Sequence, residues 1–168
     1  MPIELESERL HLRQFQPRDL DDFAAFYADP ELACFIGGAC DRNEAWRRMA
    51  LELGHWDLRG YGMWALEEKA TGDFVGCSGL WNPEGWPELE VGWWLARAKQ
   101  GQGFATEAAG RARAYAYEDL GATTLISCID PDNTASKRVA ERLGAQCEDV
   151  IDLMGGRACI YRHPGPGG

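Results

Sequence analysis

Histidine is scarce in this 168-residue chain, with only three residues, at positions 11, 55 and 163. They lie too far apart in sequence to form a local metal-binding motif, and no two of the six cysteines form a Cys-x-x-Cys pair. A structural zinc cluster has no support in this pattern, and we expect no bound metal. Scattered cysteines are typical of reduced thiols and not of a disulfide scaffold.

Long apolar runs are also missing. No segment approaches the roughly 20 apolar residues that a membrane span requires. The start Met1-Pro2-Ile3-Glu4 lacks the basic and apolar regions of a signal peptide. We therefore expect a cytoplasmic protein that does not enter a membrane.

Basic residues are in deficit, with 17 Lys and Arg against 27 Asp and Glu and a net charge of −10. This balance disfavours nucleic acid as a partner, because a nucleic-acid surface is itself strongly negative. A cationic amine substrate would fit the charge. Solubility alone explains it equally well.

The composition that is present indicates a packed globular protein. Apolar residues make up 45% of the chain and seven residues are Trp. The length suits one domain with one substantial core. We predict a single domain over residues 1–162, followed by a disordered Pro- and Gly-rich tail over 163–168.

Residue patterns predict the order β-α-α-β-β-β-α-β-α-β-β. Alternation predicts an edge strand over Leu5–Phe15, and helical spacing predicts a helix after Pro17 that stops at Asp29-Pro30. Asp41 with Glu44 resembles a capping box for a second helix ending near Arg59. The later predicted segments are a hairpin (63–69 and 74–80), a strand (88–95), an alanine-rich helix ending at Gly121, a short buried strand (125–129), a helix ending at Gly144 and a closing hairpin (146–153 and 157–162).

A glycine turn lies between the strand that ends in Trp93-Trp94-Leu95 and the alanine-rich helix. Gly101 and Gly103 allow backbone conformations that let successive N–H groups converge on one point. The N-terminus of the following helix aims its unpaired N–H groups at the same point. The turn therefore predicts an anion site, although a solvated turn that only caps a helix remains an alternative.

The turn sequence does not match the common nucleotide motifs. Phe104-Ala105 stands where a Walker motif needs Lys-Ser or Lys-Thr, and Thr106 stands where a dinucleotide fingerprint needs glycine. The hexad Gln100-Gly101-Gln102-Gly103-Phe104-Ala105 instead resembles the pyrophosphate-binding motif of the GNAT superfamily of acyl-CoA-dependent N-acetyltransferases. Two further stretches, 129–139 with Asn133 and Ser136 and 88–95 before the turn, resemble RimJ/RimL-type members.

The resemblance covers nearly the whole chain, from Leu10 to Arg162. It implies an α/β (α+β) GNAT fold with a mixed, mostly antiparallel sheet of about six to seven strands and about four helices. The fourth and fifth strands, 88–95 and 125–129, should splay apart and admit the pantetheine arm of acetyl-CoA. The implied cofactor-binding residues are Trp93, Trp94, Leu95, Gln100, Gly101, Gln102, Gly103, Phe104, Ala105, Thr106 and Asn133.

Amide formation needs a carboxylate or a water chain to take the proton of the amine, a polarised thioester carbonyl and an acid for the leaving thiolate. Glu90 is the best candidate base, and Glu88, two residues away on the same face of a regular strand, is its rival. Backbone N–H groups near Trp93 or Trp94 would polarise the carbonyl. The resemblance assigns leaving-group protonation to Ser136.

Tryptophan side chains are candidates for an acceptor pocket, although most tryptophans in a domain of this size belong to the core. We expect Trp64 and Trp81 to bind substrate together with Glu88. The resemblance implies a primary amine as acceptor, either a protein N-terminus or a small molecule, and it leaves a homodimer open.

Three functions compete at this point. The leading hypothesis is an acetyl-CoA-dependent N-acetyltransferase that works by direct transfer in a ternary complex. A non-catalytic acyl-CoA-binding sensor or interaction module is the alternative, and the presence of both Glu90 and Ser136 argues against it. A plain nucleotide-binding protein ranks third, since no Mg²⁺-site motif accompanies the turn.

Overall fold

The structure is a computed structural model and describes residues 2–168. In this range eight strands form one sheet in the order β1-β2-β3-β4-β5-β6-β8-β7. The strands are β1 (Leu5–Glu6), β2 (Leu10–Arg13), β3 (Met63–Glu68), β4 (Phe74–Trp81), β5 (Glu90–Leu95), β6 (Ile126–Ile129), β7 (Gln146–Leu153) and β8 (Gly156–Arg162). The helices are α1 (Leu20–Ala28), α2 (Pro30–Ala33), α3 (Arg42–Arg59), α4 (Phe104–Glu118) and α5 (Thr134–Arg142).

The sheet is mixed and mostly antiparallel, as the sequence predicts. The pair β5 and β6 is parallel, and each other pair of neighbours is antiparallel. The part of the chain that is described has more strands than the expected six to seven and one helix more than the expected four. The extra elements are short pieces at the N-terminal end, where one predicted strand is divided and a second helix follows α1.

The predicted edge strand over Leu5–Phe15 is wrong in its extent. The backbone N–H of Ser7 donates to the carbonyl oxygen of Leu10 at 2.9 Å, which closes a turn in the middle of the segment. Two short antiparallel strands, β1 and β2, result. Alternation of side chains continues through such a turn, so the sequence pattern did not reveal it.

The predicted helix stop at Asp29-Pro30 is also a helix start. The Asp29 side chain accepts a hydrogen bond from the Glu31 backbone N–H, and Pro30 occupies the first position of α2. Half of the capping box predicted for the next helix is confirmed, because Asp41 accepts from the Glu44 backbone N–H at 2.9 Å. The Glu44 carboxylate pairs with Arg47 and Arg48 instead of closing the box.

The core lies on both faces of the sheet. On one face, α4 packs through the small residues that the sequence placed on one side of this helix. These are Ala105, Ala108, Ala109, Ala112 and Ala116, each less than a tenth exposed. On the other face, α1 and α3 cover Met63, Ala65, Cys77 and Trp94. Small side chains on α4 allow a close approach to the strands, whereas the opposite layer is filled mainly by aromatic rings.

The segment 163–168, expected to be disordered, is packed at its start. The backbone N–H of His163 donates to the Leu125 carbonyl oxygen at 3.0 Å, and its side chain is only 3% exposed. The Tyr117 hydroxyl donates to the carbonyl oxygen of Pro164 at 2.6 Å. The prediction failed because it rested on Pro and Gly content and not on the partners that α4 supplies.

Candidate active site

The strands β5 and β6 are paired only where they begin. Their register contains a single pair, Glu90 with Ile126, beyond which the strands diverge. The Ser127 hydroxyl bridges the two strands just past this point by donating to the Val91 carbonyl oxygen at 2.6 Å. The divergence leaves an opening in the sheet beside the rest of β5.

The backbone of Trp93 faces this opening, and that of Trp94 does not. Ala96 donates its N–H to Val75 of β4, and hydrogen-bonded positions alternate along an antiparallel pair, so Trp94 points to β4. The N–H and C=O groups of Trp93 point the opposite way. Of the two residues expected to polarise a carbonyl through the backbone, only Trp93 has the required direction.

The glycine turn at the end of β5 has the predicted geometry. Gly101 and Gly103 have φ of +74° and +83°, in the left-handed region that favours glycine. Gly103 is the residue that precedes α4, and the first intrahelical N–H, that of Glu107, donates to the Gly103 carbonyl oxygen. The N–H groups of Phe104, Ala105 and Thr106 therefore have no partner within the helix.

Arg9 supports the turn and was missed in the sequence. Its Nη1 donates to the Gln102 carbonyl oxygen at 2.9 Å, and its guanidinium lies 4.2 Å from the centre of the Phe104 ring. Glu107 in the first turn of α4 accepts from Arg9 Nε at 2.7 Å and from the Ser7 hydroxyl at 2.6 Å. No local signal indicates this contact, since the partners are 93 or more residues apart.

The turn fits a pyrophosphate group. A Cβ on Gly101 would meet nothing within 4 Å, so the space beside it is open. The hydroxyl oxygen of Thr106 is buried and has no hydrogen-bond partner within residues 2–168. A phosphate oxygen at the turn would accept from the free N–H groups of the helix. Arg97 and Lys99 already pair with carboxylates, on Asp29 and Glu31 and on Glu68 and Asp73 respectively.

Glu90 begins β5 and carries a buried carboxylate. The residue is 9% exposed, and its Oε2 accepts a hydrogen bond from the backbone N–H of Cys128 on β6. Its Oε1 lies above Gly92, 3.5 Å from the place a Cβ would occupy there. Burial raises the pKa of Glu90 to about 7, and hydrogen bonds from Cys128 partly oppose this.

Cys128 is a second residue that sequence reasoning missed. Its backbone N–H donates to Glu90 Oε2 across the two strands. Burial first, and then the neighbouring Glu90 charge, raise the pKa of the Cys128 thiol, so it stays protonated. A protonated thiol is a poor nucleophile, and the geometry makes Cys128 a support for Glu90.

Glu88, the rival base, does not lie in β5. Both its carboxylate oxygens accept from the Arg162 guanidinium at 2.7 Å, and this pairing lowers the pKa of Glu88. The prediction that Glu88 and Glu90 share one face of a regular strand is wrong, because β5 starts at Glu90. Glu88 therefore forms an ion pair with Arg162 of β8 and does not lie beside Gly92.

The two tryptophans expected in an acceptor pocket have different positions. Trp64 is fully buried in the core and donates its indole N–H to the Ile3 carbonyl oxygen, which corrects its assignment to a substrate pocket. Trp81 is half-buried, lies opposite Glu90 in the neighbouring strand and stacks on His55 at 4.5 Å. Only Trp81 has a surface near the candidate base.

Asn133 and Ser136 open α5 on the far side of the divergence. The Asn133 side chain accepts from the Ser136 backbone N–H at 3.2 Å and so caps the helix. Ser136 is half-buried and lies one turn before Ala140, which shares a cluster with Trp93. Ser136 is thus on the face of α5 that looks toward the Trp93 end of β5.

Comparisons with known proteins identify the fold and the family of this chain. Residues 9–146 match the family model of the acetyltransferase (GNAT) domain. Over 165 residues the chain is 33% identical to the uncharacterized protein YkkB of Bacillus subtilis (strain 168), covering 94% of this chain and 93% of YkkB. An acetyltransferase from Agrobacterium tumefaciens str. C58 superposes with a TM-score of 0.87 at 31% identity, covering 96% of this chain and 94% of that one.

The chain therefore belongs to the GNAT family of acetyltransferases, and the expected GNAT fold is confirmed. Family membership supports acyl transfer as the class of reaction. RimL, the ribosomal L7/L12 alpha-N-protein acetyltransferase, is similar in fold alone, with a TM-score of 0.79 at 15% identity over 97% of this chain and 94% of RimL. Among the helices of residues 2–168, none has the length and apolar character to cross a bilayer.

Proposed function

We propose that this protein transfers an acetyl group from acetyl-CoA to a primary amine, directly and within a ternary complex. The observation that carries the proposal is the Glu90 carboxylate, buried at the start of the divergence between β5 and β6. A base at this position would lie beside the only parallel strand pair of the described sheet. The family supplies the donor, since GNAT enzymes use acetyl-CoA.

Glu90 acts as the base that takes the proton from the amine. A carboxylate with a pKa near 4.5 is a weak base for an α-amino group, whose pKa is about 8. Burial brings the pKa of Glu90 to about 7 and so reduces this mismatch. The Cys128 backbone N–H donates to Glu90 Oε2, so Glu90 Oε1, which lies above Gly92, is the oxygen that accepts the proton.

The remaining tasks fall to groups around the opening. The amides of Gly101 through Thr106 bind the pyrophosphate of acetyl-CoA, and Asn133 contacts its pantetheine arm. The Gln100 N–H, also expected there from the sequence, donates to the Arg97 carbonyl oxygen instead. The Trp93 backbone N–H polarises the thioester carbonyl. Ser136 donates a proton to the leaving thiolate as the new amide bond forms and the carbon–sulfur bond breaks. The products are the N-acetylated amine and CoA with a free thiol.

The acceptor is a primary amine, either a small molecule or a protein N-terminus in a RimJ/RimL-like reaction. RimL modifies a ribosomal protein at its α-amino group, and its fold matches. The net charge of −10 would favour a cationic acceptor of either kind.

The test is release of CoA thiol from acetyl-CoA in the presence of amines and short N-terminal peptides. We expect turnover with at least one acceptor and loss of that turnover in Glu90→Gln. Acetyl-CoA binding without turnover on any acceptor would identify a non-catalytic acyl-CoA-binding module instead. Absence of acetyl-CoA binding would contradict both functions.

A further inference from the structure

A histidine near the C-terminal end of α3 is enclosed by the fold. His55 is 4% exposed, its Nδ1 lies 2.8 Å from the Tyr61 carbonyl oxygen, and its Nε2 lies 3.0 Å from the Asn82 backbone nitrogen. A backbone N–H can only donate, so Nε2 of His55 accepts from Asn82, and Nδ1 carries the hydrogen that is donated to Tyr61. These two bonds fix a single neutral tautomer of the ring.

The same imidazole ring packs against Trp81. The two rings are stacked, with centroids 4.5 Å apart and planes inclined by 16°. Trp81 is the last residue of β4, and Asn82 is the first residue after it. His55 therefore contacts, through its ring face and through Nε2, the two consecutive residues at which β4 ends and the segment 82–89 begins.

Trp81 lies beside the candidate base. It is paired with Glu90 across β4 and β5, and directly opposed side chains of an antiparallel pair lie on one face with Cβ atoms about 4.5–5.5 Å apart. The glycine turn follows the other end of β5, about 17 Å away along a strand of six residues. The proposed phosphate site and the base thus lie at opposite ends of β5. An acceptor therefore reaches Glu90 from the end where Trp81 lies.

The approach to Glu90 across the middle of the sheet is closed. Met63 Cε lies 3.8 Å from the position that a Cβ would occupy at Gly92, and Glu90 Oε1 is 3.5 Å from the same position. Met63 is paired with Gly79, which is paired in turn with Gly92, so the Met63 side chain spans both glycines. Trp81 is half-buried, so part of its side chain is accessible at the end of the sheet.

The segment 82–89 is held at both ends. At its far end the Glu88 carboxylate accepts from the Arg162 guanidinium through both oxygens at 2.7 Å. At its near end the Asn82 N–H donates to His55 Nε2. His55 thus links α3 to the β4 end of the segment.

We propose that His55 is a positioning residue for the acceptor amine. By stacking on Trp81 and accepting from Asn82, it keeps the indole ring in one place beside Glu90, and acceptor binding depends on that placement. The inference rests on the proposed acetyl transfer at Glu90. It deepens that function by assigning acceptor affinity to a residue of α3 that takes no part in the chemistry.

The experiment uses two substitutions that each keep one of the two hydrogen bonds. In His55→Gln the side-chain oxygen reaches the place of Nε2 and accepts from Asn82. In His55→Asn the shorter amide reaches the place of Nδ1 and donates to Tyr61. Neither variant has a ring, so the comparison isolates the Asn82 bond. Hydrogen exchange of the Asn82 amide, followed by NMR, should be at least about tenfold faster in His55→Asn than in His55→Gln.

Kinetics are measured by CoA-thiol release with a panel of n-butylamine, 1,4-diaminobutane and trialanine. We expect His55→Asn to raise the acceptor KM by at least about tenfold and to leave kcat and the KM for acetyl-CoA within about twofold of the wild-type values. His55→Gln should restore the acceptor KM to within about threefold of wild type. A residue that only stabilised the fold would lower the amount of active enzyme, which reduces kcat and does not produce this split.

Two further variants serve as control and as second test. Glu84→Gln changes an exposed carboxylate of the same segment, whose ion pair with Arg59 at 3.8 Å contributes little, so the acceptor KM should not change. His55→Phe keeps a stacked ring and loses both hydrogen bonds. Its acceptor KM should rise as in His55→Asn, which keeps the inference testable if His55→Asn does not fold.

The outcomes separate this inference from the proposed function. Equal acceptor KM in His55→Gln and a folded His55→Asn or His55→Phe would overturn the positioning role and leave acetyl transfer standing. A parallel rise in the KM for acetyl-CoA would have the same meaning, because the effect would not be specific to the acceptor. A wild type that acetylates no member of the panel would overturn the transfer to amines and the role of His55 with it.

Discussion

The Ser127 hydroxyl on β6 donates to the Val91 carbonyl oxygen on β5, and the same Oγ lies 2.8 Å from His163 Nε2. Because the hydroxyl hydrogen is used on Val91, the imidazole donates from Nε2. Its Nδ1 then accepts from the Arg113 guanidinium at 3.3 Å. A chain of hydrogen bonds with a neutral imidazole thus joins α4 to the place where the two strands separate.

This arrangement predicts a pH dependence of stability. Burial, and secondarily the Arg113 charge, lower the pKa of His163 to about 4, below the ordinary value of about 6.5. The unfolded chain therefore gains a proton here first, and stability should fall as pH decreases from about 6.5 toward 4. His163→Gln should flatten the slope of the melting temperature between about pH 7 and 5. His11→Gln is the control, and equal slopes in His163→Gln and the wild type would contradict the assignment.

Gly103→Val should weaken acetyl-CoA binding by at least about tenfold, or about 1.4 kcal/mol. The residue has φ of +83°, and a Cβ there would lie 3.4 Å from Arg9 Nη2, so valine strains the turn and displaces its support. Calorimetric titration measures the affinity. Gly155→Val, at φ of +78° in the β7–β8 turn, controls for backbone strain alone. Unchanged affinity in a folded Gly103→Val variant would place the pyrophosphate elsewhere.

Ser136→Ala should lower kcat by about 10²-fold or more and leave acetyl-CoA affinity nearly unchanged. The hydroxyl is assigned to the departing thiolate and not to binding of the cofactor. Thr134→Ala, an exposed hydroxyl at the start of the same helix, should have no such effect. A reduction of kcat below about threefold would make Ser136 a helix residue only.

Glu90→Gln should lower kcat/KM at neutral pH, because the amide keeps shape and polarity but cannot take the proton. The deficit should shrink as pH rises, since more of the amine arrives deprotonated. If Glu90 only attracted a cation, the loss would appear in KM and diminish with salt, which screens exposed charges over about 10 Å at 0.1 M. A pH-rate profile and a salt series on the same variant distinguish these cases.

Glu88→Gln is the matched control for the base. It removes one partner of the Arg162 ion pair without touching the surface above Gly92, so activity should remain near wild type. Wild-type activity in Glu90→Gln together with failure of Glu88→Gln would reverse the assignment of the base.

Local patterns predicted the parts of the fold that are set by neighbours in sequence. The Asp41 cap, the two left-handed glycines and the alanine face of α4 all depend on residues within a few positions of one another. Contacts between distant segments were not predictable in this way. Arg9 reaches the glycine turn only through the tertiary fold, and no periodicity indicates this contact.

The limits of the predicted site have the same origin. Trp64 and Trp81 look alike in sequence, yet one is enclosed in the core and the other lies beside Glu90. The sequence placed Glu88 and Glu90 in one strand as rival bases. Only the start of β5 at Glu90, which the structure shows, distinguishes them. Strand boundaries depend on pairing with a partner strand, which single-sequence patterns locate only to within a few residues.

The position of β8 between β6 and β7 has a consequence for synthesis of the chain on the ribosome. When Leu153 has emerged and residues 156–162 have not, β6 has an open edge and β7 has no partner. Open edges are templates for pairing with other chains. The nascent protein therefore passes late through an aggregation-prone stage, and slow translation near Gly156 would prolong it.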